Sequence, residues 1–272
     1  MMAEPPKAYA LNVSVNSDRM HRKRVAFPWS LGRAYACETW TGAFRLIPQV
    51  SGAGLLSGDH VRQKVHLGAQ ARLRLESAGA MQVLAGPSGI ARSDWNFVLE
   101  HGAMLVLDAE PYALMPRAAL DLRSHFHLSA EAIVLATEAI CCTHTDEAQN
   151  LDELGAWRSQ TTVANASGAT MFIDRQAASL EGGARLRRLP KGFAAFGTVW
   201  VLANIKVAEA AAVDLPDVAP CRIALSPLRA GAGIAIRLAA LDGGGLRFAC
   251  RRLMDVLEPR LAKAQGQAAP LT

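Results

Sequence analysis

Residues 119–128 read Ala-Leu-Asp-Leu-Arg-Ser-His-Phe-His-Leu. In an extended chain Leu120, Leu122, Ser124, Phe126 and Leu128 share one side, and Asp121, Arg123, His125 and His127 share the other. A period of two is the mark of a strand with one buried face. Working outward, the same alternation recurs at 71–76 (Ala-Arg-Leu-Arg-Leu-Glu) and in a strand-like run at 61–67. Segments 94–100 and 103–108 read as strands flanking His101-Gly102, and 133–140 and 169–174 continue the pattern. Small-residue pairs open several of these runs: Gly68-Ala69, Gly102-Ala103, Ser129-Ala130 and Gly168-Ala169. Each marks a tight strand-to-strand turn. Their intervals are uneven, so they define no strict repeat, but they predict antiparallel or coiled β layers built from similar units.

One helix stands out. Over 246–258, Leu246, Ala249, Leu253, Val256 and Leu257 form an apolar stripe opposite Arg247, Arg251 and Arg252. Pro259 is expected to end it, and Gly243-Gly244-Gly245 to separate it from a strand at 234–239. The chain is therefore read as mainly β: a layered or coiled β-sheet scaffold, β-helix-like or sandwich-like, with a short C-terminal helix. Residues 1–40, broken by Pro5, Pro6 and Pro28, are expected to be irregular. Residues 41–262 form a single β domain, and 263–272 a tail.

Composition bounds the function. The 272 residues suffice for one large domain or two small ones. A 51% hydrophobic content with 19% charged residues excludes wholesale disorder. Aromatics are only 6%, so the core must be built from small and branched side chains. Five cysteines, an odd and modest number, argue against a disulfide scaffold. The net charge of +5 permits acidic partners, but the basic residues show no nucleic-acid motif or interleaved aromatics, so no nucleic acid is expected. The densest cluster, Arg19 to Arg24, reads as a solvated segment. No stretch approaches the ~18 apolar residues of a membrane span, and no secretory signal is visible, so no membrane and a cytoplasmic location are expected.

No enzyme signature is present: no nucleophile elbow, P-loop, H-E-x-x-H or C-x-x-C. His125 and His127 could face one metal from a strand, but no third ligand is adjacent. Cys141, Cys142 and His144 form a second metal-like cluster, in which adjacent strand residues point to opposite faces. An acidic loop follows, with Asp146, Glu147, Asp152 and Glu153. Glu138 lies inside an apolar run, where a carboxylate needs a solvated face or a partner. Asp59 follows Gly58 and reads either as a turn cap or as a functional carboxylate.

The segment Gly54-Leu55-Leu56-Ser57-Gly58-Asp59, with Phe44-Arg45-Leu46-Ile47-Pro48 just upstream, resembles a motif pair of the urease accessory protein UreD (UreH) family. In order along the chain, Gly102-Ala103, Pro111 and Pro116, residues 130–138, Asp174-Arg175 and Ile236-Arg237-Leu238 are similar to further family segments. The residues at 80–84 and 141–147 depart from the family pattern, which marks a divergent member. The resemblance implies an all-β, non-catalytic metallochaperone scaffold. It would bind apo-urease and the accessory protein UreF, which recruits the GTPase UreG, and no cofactor would be stably bound. Nickel would be in transit through the protein. Gly54, Gly58, Asp59, Glu138, Asp174 and Arg175 are the candidate motif and path positions. A metal-dependent enzyme using His125 and His127, and an interaction module unrelated to urease, are the competing readings.

Overall fold

The computed structural model describes residues 9–17, 19–37, 40, 42–87, 89–143, 156–178 and 193–267. The chain enters through β1 (Leu11–Val15), β2 (Met20–Val25), β3 (Trp29–Leu31) and β4 (Tyr35–Ala36), then β5 (Phe44–Leu46), β6 (Pro48–Val50) and β7 (Leu55–Leu56). Three coils follow. The first is β8 (His60–Leu67), β9 (Arg72–Glu76) and β10 (Met81–Leu84). The second is β11 (Ala91–Leu99), β12 (Met104–Asp108) and β13 (Tyr112–Leu114). The third is β14 (Ala119–Leu128) and β15 (Ile133–Cys142), which is long enough to pair with both β12 and β13. Then come β16 (Ala156–Asn165), β17 (Thr170–Ala178), β18 (Ala195–Leu202), α1 (Ile205–Ala211), β19 (Arg222–Pro227), β20 (Gly233–Ala240) and α2 (Gly243–Gln267).

The coils stack in parallel. β1, β8, β11, β14 and β16 run parallel as neighbours in a seven-stranded sheet, closed at its edges by antiparallel β2 and β17. β5, β9, β12 and β15 run parallel in the facing eleven-stranded sheet, extended by antiparallel β18, β20 and β19. This is the coiled scaffold expected from the alternation. Like side chains fall on like: Val65, Phe97, Phe126 and Val163 form one inward row. The Phe97 and Phe126 rings stack with centroids 4.7 Å apart, the offset arrangement that adds to area burial.

The corners explain the uneven small-residue pairs. Gly68-Ala69-Gln70-Ala71, Glu100-His101-Gly102-Ala103 and Ser129-Ala130-Glu131-Ala132 are successive storeys of one corner. The Gln70 N–H donates to His101 O at 2.9 Å and the Gly102 N–H to Ala130 O at 3.1 Å. The third residue of each turn is left-handed (Gln70 φ 59°, Gly102 φ 62°, Glu131 φ 58°), and the fourth is a buried alanine. The Gly102-Ala103 pair is thus two positions out of step with Gly68-Ala69 and Ser129-Ala130. What repeats is the left-handed residue followed by an inward alanine. Gly168-Ala169 belongs to another structure, the hairpin between β16 and β17. Ala103 is fully buried, so Ala103→Leu is expected to cost about 1–3 kcal/mol by overpacking. A denaturation midpoint unchanged from the parent would contradict this assignment of the corner.

Two expectations need correction. Residues 11–36 are not irregular: they carry four strands, with β1 in register beside β8. Their alternation is short and interrupted by turns, which hid it. The C-terminal helix neither starts at residue 246 nor stops at Pro259; it runs Gly243–Gln267. Asp242 Oδ1 accepts the Gly245 N–H at 2.7 Å, an N-terminal cap that makes the glycines the first turn. Gly243 fits closely there: a Cβ would stand 3.1 Å from Cys141 Sγ, which would have to shift by a few tenths of an ångström. Pro259 removes one helical hydrogen bond, but Leu253, Leu257 and Leu261 are fully buried along the packed face and carry the helix past it. Tertiary burial outweighs local propensity here.

The helix is tied down by charge as well. Arg74 contacts Glu76, Asp108 and Glu258, and Arg247 contacts Asp108 and Glu110. Arg45 reaches Glu76 at 2.7 Å and Arg251 reaches Glu110 at 3.0 Å. Four arginines and four carboxylates thereby link β5, β9 and β12 to α2.

Candidate functional site: a polar lane inside the β coils

The interior is not uniformly apolar. A cavity of ≈ 490 Å³ runs beside all three coils, walled also by the segment before them. Gly52, Gly54, Ser77, Gly79 and Gln82 line it together with Trp95, Tyr112, Ser124 and Glu138. From the wall at Glu138 a lane of polar side chains continues through the core. Ser124, Ser159 and Thr161 face inward from the seven-stranded sheet, and Glu138, Thr198 and Arg237 occupy one register row of the facing sheet. The Thr161 hydroxyl donates to Glu138 Oε2 at 3.1 Å. Arg237 donates to Thr198 Oγ1 at 2.8 Å and to Asp174 Oδ1 at 2.6 Å, and Gln176 donates to Asp174 Oδ2 at 3.0 Å. Arg237 also lies over the Trp200 ring, 4.9 Å from its centroid.

Alternation explains why these residues point inward. On β15, Ala136, Glu138 and Ile140 face the coil interior, whereas Leu135, Thr137 and Ala139 face α2 or its flank. Glu138 therefore stands where a strand of this pattern places an apolar residue. Burial pushes its pKa up; hydrogen bonds from Ser159 and Thr161 offset this in part, and the nearby Asp174 charge adds to it. Tyr112, whose hydroxyl lies 3.0 Å from Ser93 Oγ, is likewise pushed up by burial.

The candidate positions divide. Glu138 and Asp174 come together on the lane. Asp59 does not: its carboxylate accepts the Leu56 N–H at 2.8 Å, so it caps a surface turn. Gly54 and Gly58 shape the same turn. Both have positive φ, and a Cβ on Gly54 would lie 2.2 Å from Gln82 O. Gly54 lines the cavity, so the motif builds part of its wall and places no charge in it. Arg175 points to the outer surface, donating to Gln160 Oε1 at 2.9 Å. Thr161 and Thr198 carry no signal in the sequence, and Arg237 stands out there only within a family-like segment, with nothing in its neighbours to mark it as inward-facing.

The metal-like clusters do not assemble. Among the described residues, no three His, Cys, Asp or Glu side chains come close enough to hold an ion. His125 and His127 share the outer face of β14, as the alternation predicts, without a third ligand. Cys141 packs towards α2 and Cys142 into the coil interior, so they face opposite ways. Burial raises the Cys141 pKa and pushes that of Cys142 up to about 11, which keeps both as thiols at neutral pH. His144 and the acidic loop lie outside the described residues. No helix among the described residues is long and apolar enough to cross a membrane.

Stacked parallel coils enclosing an oxygen-rich lane, with a helix clamped along one side, define a β scaffold with a buried polar row beside a cavity. The family model for the UreD urease accessory protein matches residues 9–270, and the chain belongs to that family. It is 27% identical over 234 residues to urease accessory protein UreD 1 of Methylorubrum extorquens, covering 84% of this chain and 78% of that protein. It is also 27% identical over 235 residues to urease accessory protein UreD of Mycolicibacterium smegmatis, covering 85% and 82%.

Proposed function

We propose that this protein is a non-catalytic scaffold for urease maturation in the cytoplasm. In this reading it binds apo-urease together with UreF and UreG and helps deliver nickel. The observation that carries the reading is the lane from the cavity to Glu138 and Asp174, in a chain of the UreD family. Its donors are sparse oxygens: two carboxylates and several hydroxyls, with no thiolate or imidazole set among the described residues. Such a hard, incomplete donor set binds nickel weakly compared with imidazole or thiolate ligands. Weak, sequential ligation suits passage, whereas a complete soft site would hold the ion. Gly54, which lines the cavity, supports the same use of it.

The test is complementation. A urease-positive bacterium lacking its own UreD, given this gene with its native partner genes, is expected to regain urease activity and nickel in purified urease. Soluble expression with co-purification of UreF but no nickel in urease would overturn the delivery role. Failure to co-purify with UreF or apo-urease would overturn the maturation complex as a whole.

A further inference from the structure

The outer face of the seven-stranded sheet concentrates the protein's charge. Because the strands stack in register, outward side chains form rows across the sheet. One row carries Arg158, Asp121 and Arg92. The next carries Arg175, Gln160, Arg123, Asp94 and Arg62. The third carries His125, Asn96, Lys64, Asn12 and Arg24. These rows hold seven arginines and lysines against two aspartates, an excess of five. The whole chain has a net charge of +5, so the rest of the sequence sums to zero.

The two aspartates do not neutralise the face; one of them organises it. The Asp121 side chain is only 3% exposed and sits under three guanidiniums, those of Arg158 at 2.7 Å, Arg123 at 2.9 Å and Arg92 at 3.9 Å. Those arginines remain about half exposed. One buried carboxylate thus holds three cations in place, with donors left over for a partner. Asp94, on the central strand β11, is engaged by His60, 2.5 Å from its Nε2.

We infer that this face is a docking surface for an acidic protein. Six strands about 4.8 Å apart and three outward rows about 6.7 Å apart give roughly 600 Å², below but near the ~800 Å² per partner of a stable protein interface. Tyr9 is the one Phe, Tyr or Trp ring against these rows among the described residues, and it is covered by Arg62, 4.9 Å from its centroid, so the face lacks the series of open rings on which single-strand binders stack bases. Fixed guanidiniums suit carboxylates, which they take in bidentate pairs. The surface lies on the opposite side of the sheet from the polar lane and does not depend on the passage of nickel.

The probe is poly-L-glutamate, titrated by calorimetry into the full chain. Binding is expected at about 50 mM salt and is expected to weaken about tenfold or more by about 200 mM. The triple variant Arg24→Glu/Lys64→Glu/Arg175→Glu leaves the Asp121 cluster intact and should lose at least about tenfold in affinity. A control triple of equal charge on other surfaces, Lys206→Glu/Arg222→Glu/Arg252→Glu, should bind as the parent does. Melting curves check that each variant folds, and the single changes Lys64→Gln and Arg175→Gln serve if the triple does not. Equal losses in both triples, or in the corresponding single changes, would overturn the docking face. Duplex DNA binding as tightly as poly-L-glutamate would overturn the choice of an acidic protein.

Discussion

Arg74→Ala is expected to destabilise the protein by about 3–5 kcal/mol, the range for removing one partner of a buried ionic cluster. Arg74 is 15% exposed and touches Glu76, Asp108 and Glu258, which are 16%, 8% and 11% exposed. Burial alone would lower the Arg74 pKa, but the Glu76 hydrogen bond and the charges of Glu258 and Asp108 outweigh it and raise it. Glu258 is pushed up by burial despite the same contact, since Asp108 and Glu76 repel it. The Arg74 direction decides the energetics, because one cation serves three anions. Without it, Arg247 still holds Asp108 and Arg45 still holds Glu76, but Glu258 loses the Arg74 guanidinium. The helix carrying Glu258 should loosen first. Arg74→Met, which keeps the aliphatic stem, should lose nearly as much as Arg74→Ala. Both deficits should shrink on acidification, first as Glu258, whose pKa burial raises, takes up its proton, and last as Glu76 does, which the Arg45 and Arg74 hydrogen bonds hold below the usual carboxylate range despite its burial. A loss under about 1 kcal/mol by urea denaturation at neutral pH would mean that the cluster behaves as a surface network.

That cluster illustrates what the sequence could convey. Arg74 and Glu76 alternate with Leu73 and Leu75, so their common face is readable from period two. Glu258 lies 184 positions further on, and no local pattern links the two. The strands at 119–128 and 133–140 were legible because each alternates over a long run. β18 lacks the alternation of a half-buried strand: apolar residues on both faces are interrupted only by Gly197 and Thr198. The direction of stacking was not legible either, since a parallel coil and an antiparallel layer share the same alternation. It is set by the corners, whose repeat lies in backbone conformation more than in residue identity: glycine stands at one left-handed position, glutamine and glutamate at the others. At the site, Glu138 was legible because a carboxylate in an apolar strand is conspicuous. Its partners were not. Thr161, Thr198 and Arg237 are ordinary strand residues until the register brings them to one lane.

Glu138→Gln is expected to move stability and function in opposite directions. Burial raises the folded-state pKa of Glu138 above its ordinary value of 4.5, so ionisation is disfavoured inside the fold. A raised pKa contributes stability that is fully present below the unfolded value and is lost as pH rises through the folded value. Glutamine imitates the protonated acid at every pH. Parent and variant should therefore melt together below about pH 4, and the variant should melt higher at neutral pH. The Thr161 hydroxyl can still donate to the amide oxygen, so the lane stays bonded. The same change removes the carboxylate at the cavity wall. If nickel moves along this lane, urease matured with the variant should contain less nickel and show lower activity, although the scaffold itself is more stable. Few destabilising lesions have this signature, because misfolding lowers both readouts together. A variant that melts lower at neutral pH would show that Glu138 is stabilised as an ion by its surroundings. Full nickel loading with the double change Glu138→Gln/Asp174→Asn would remove both carboxylates from the route, and the cavity would then be structural.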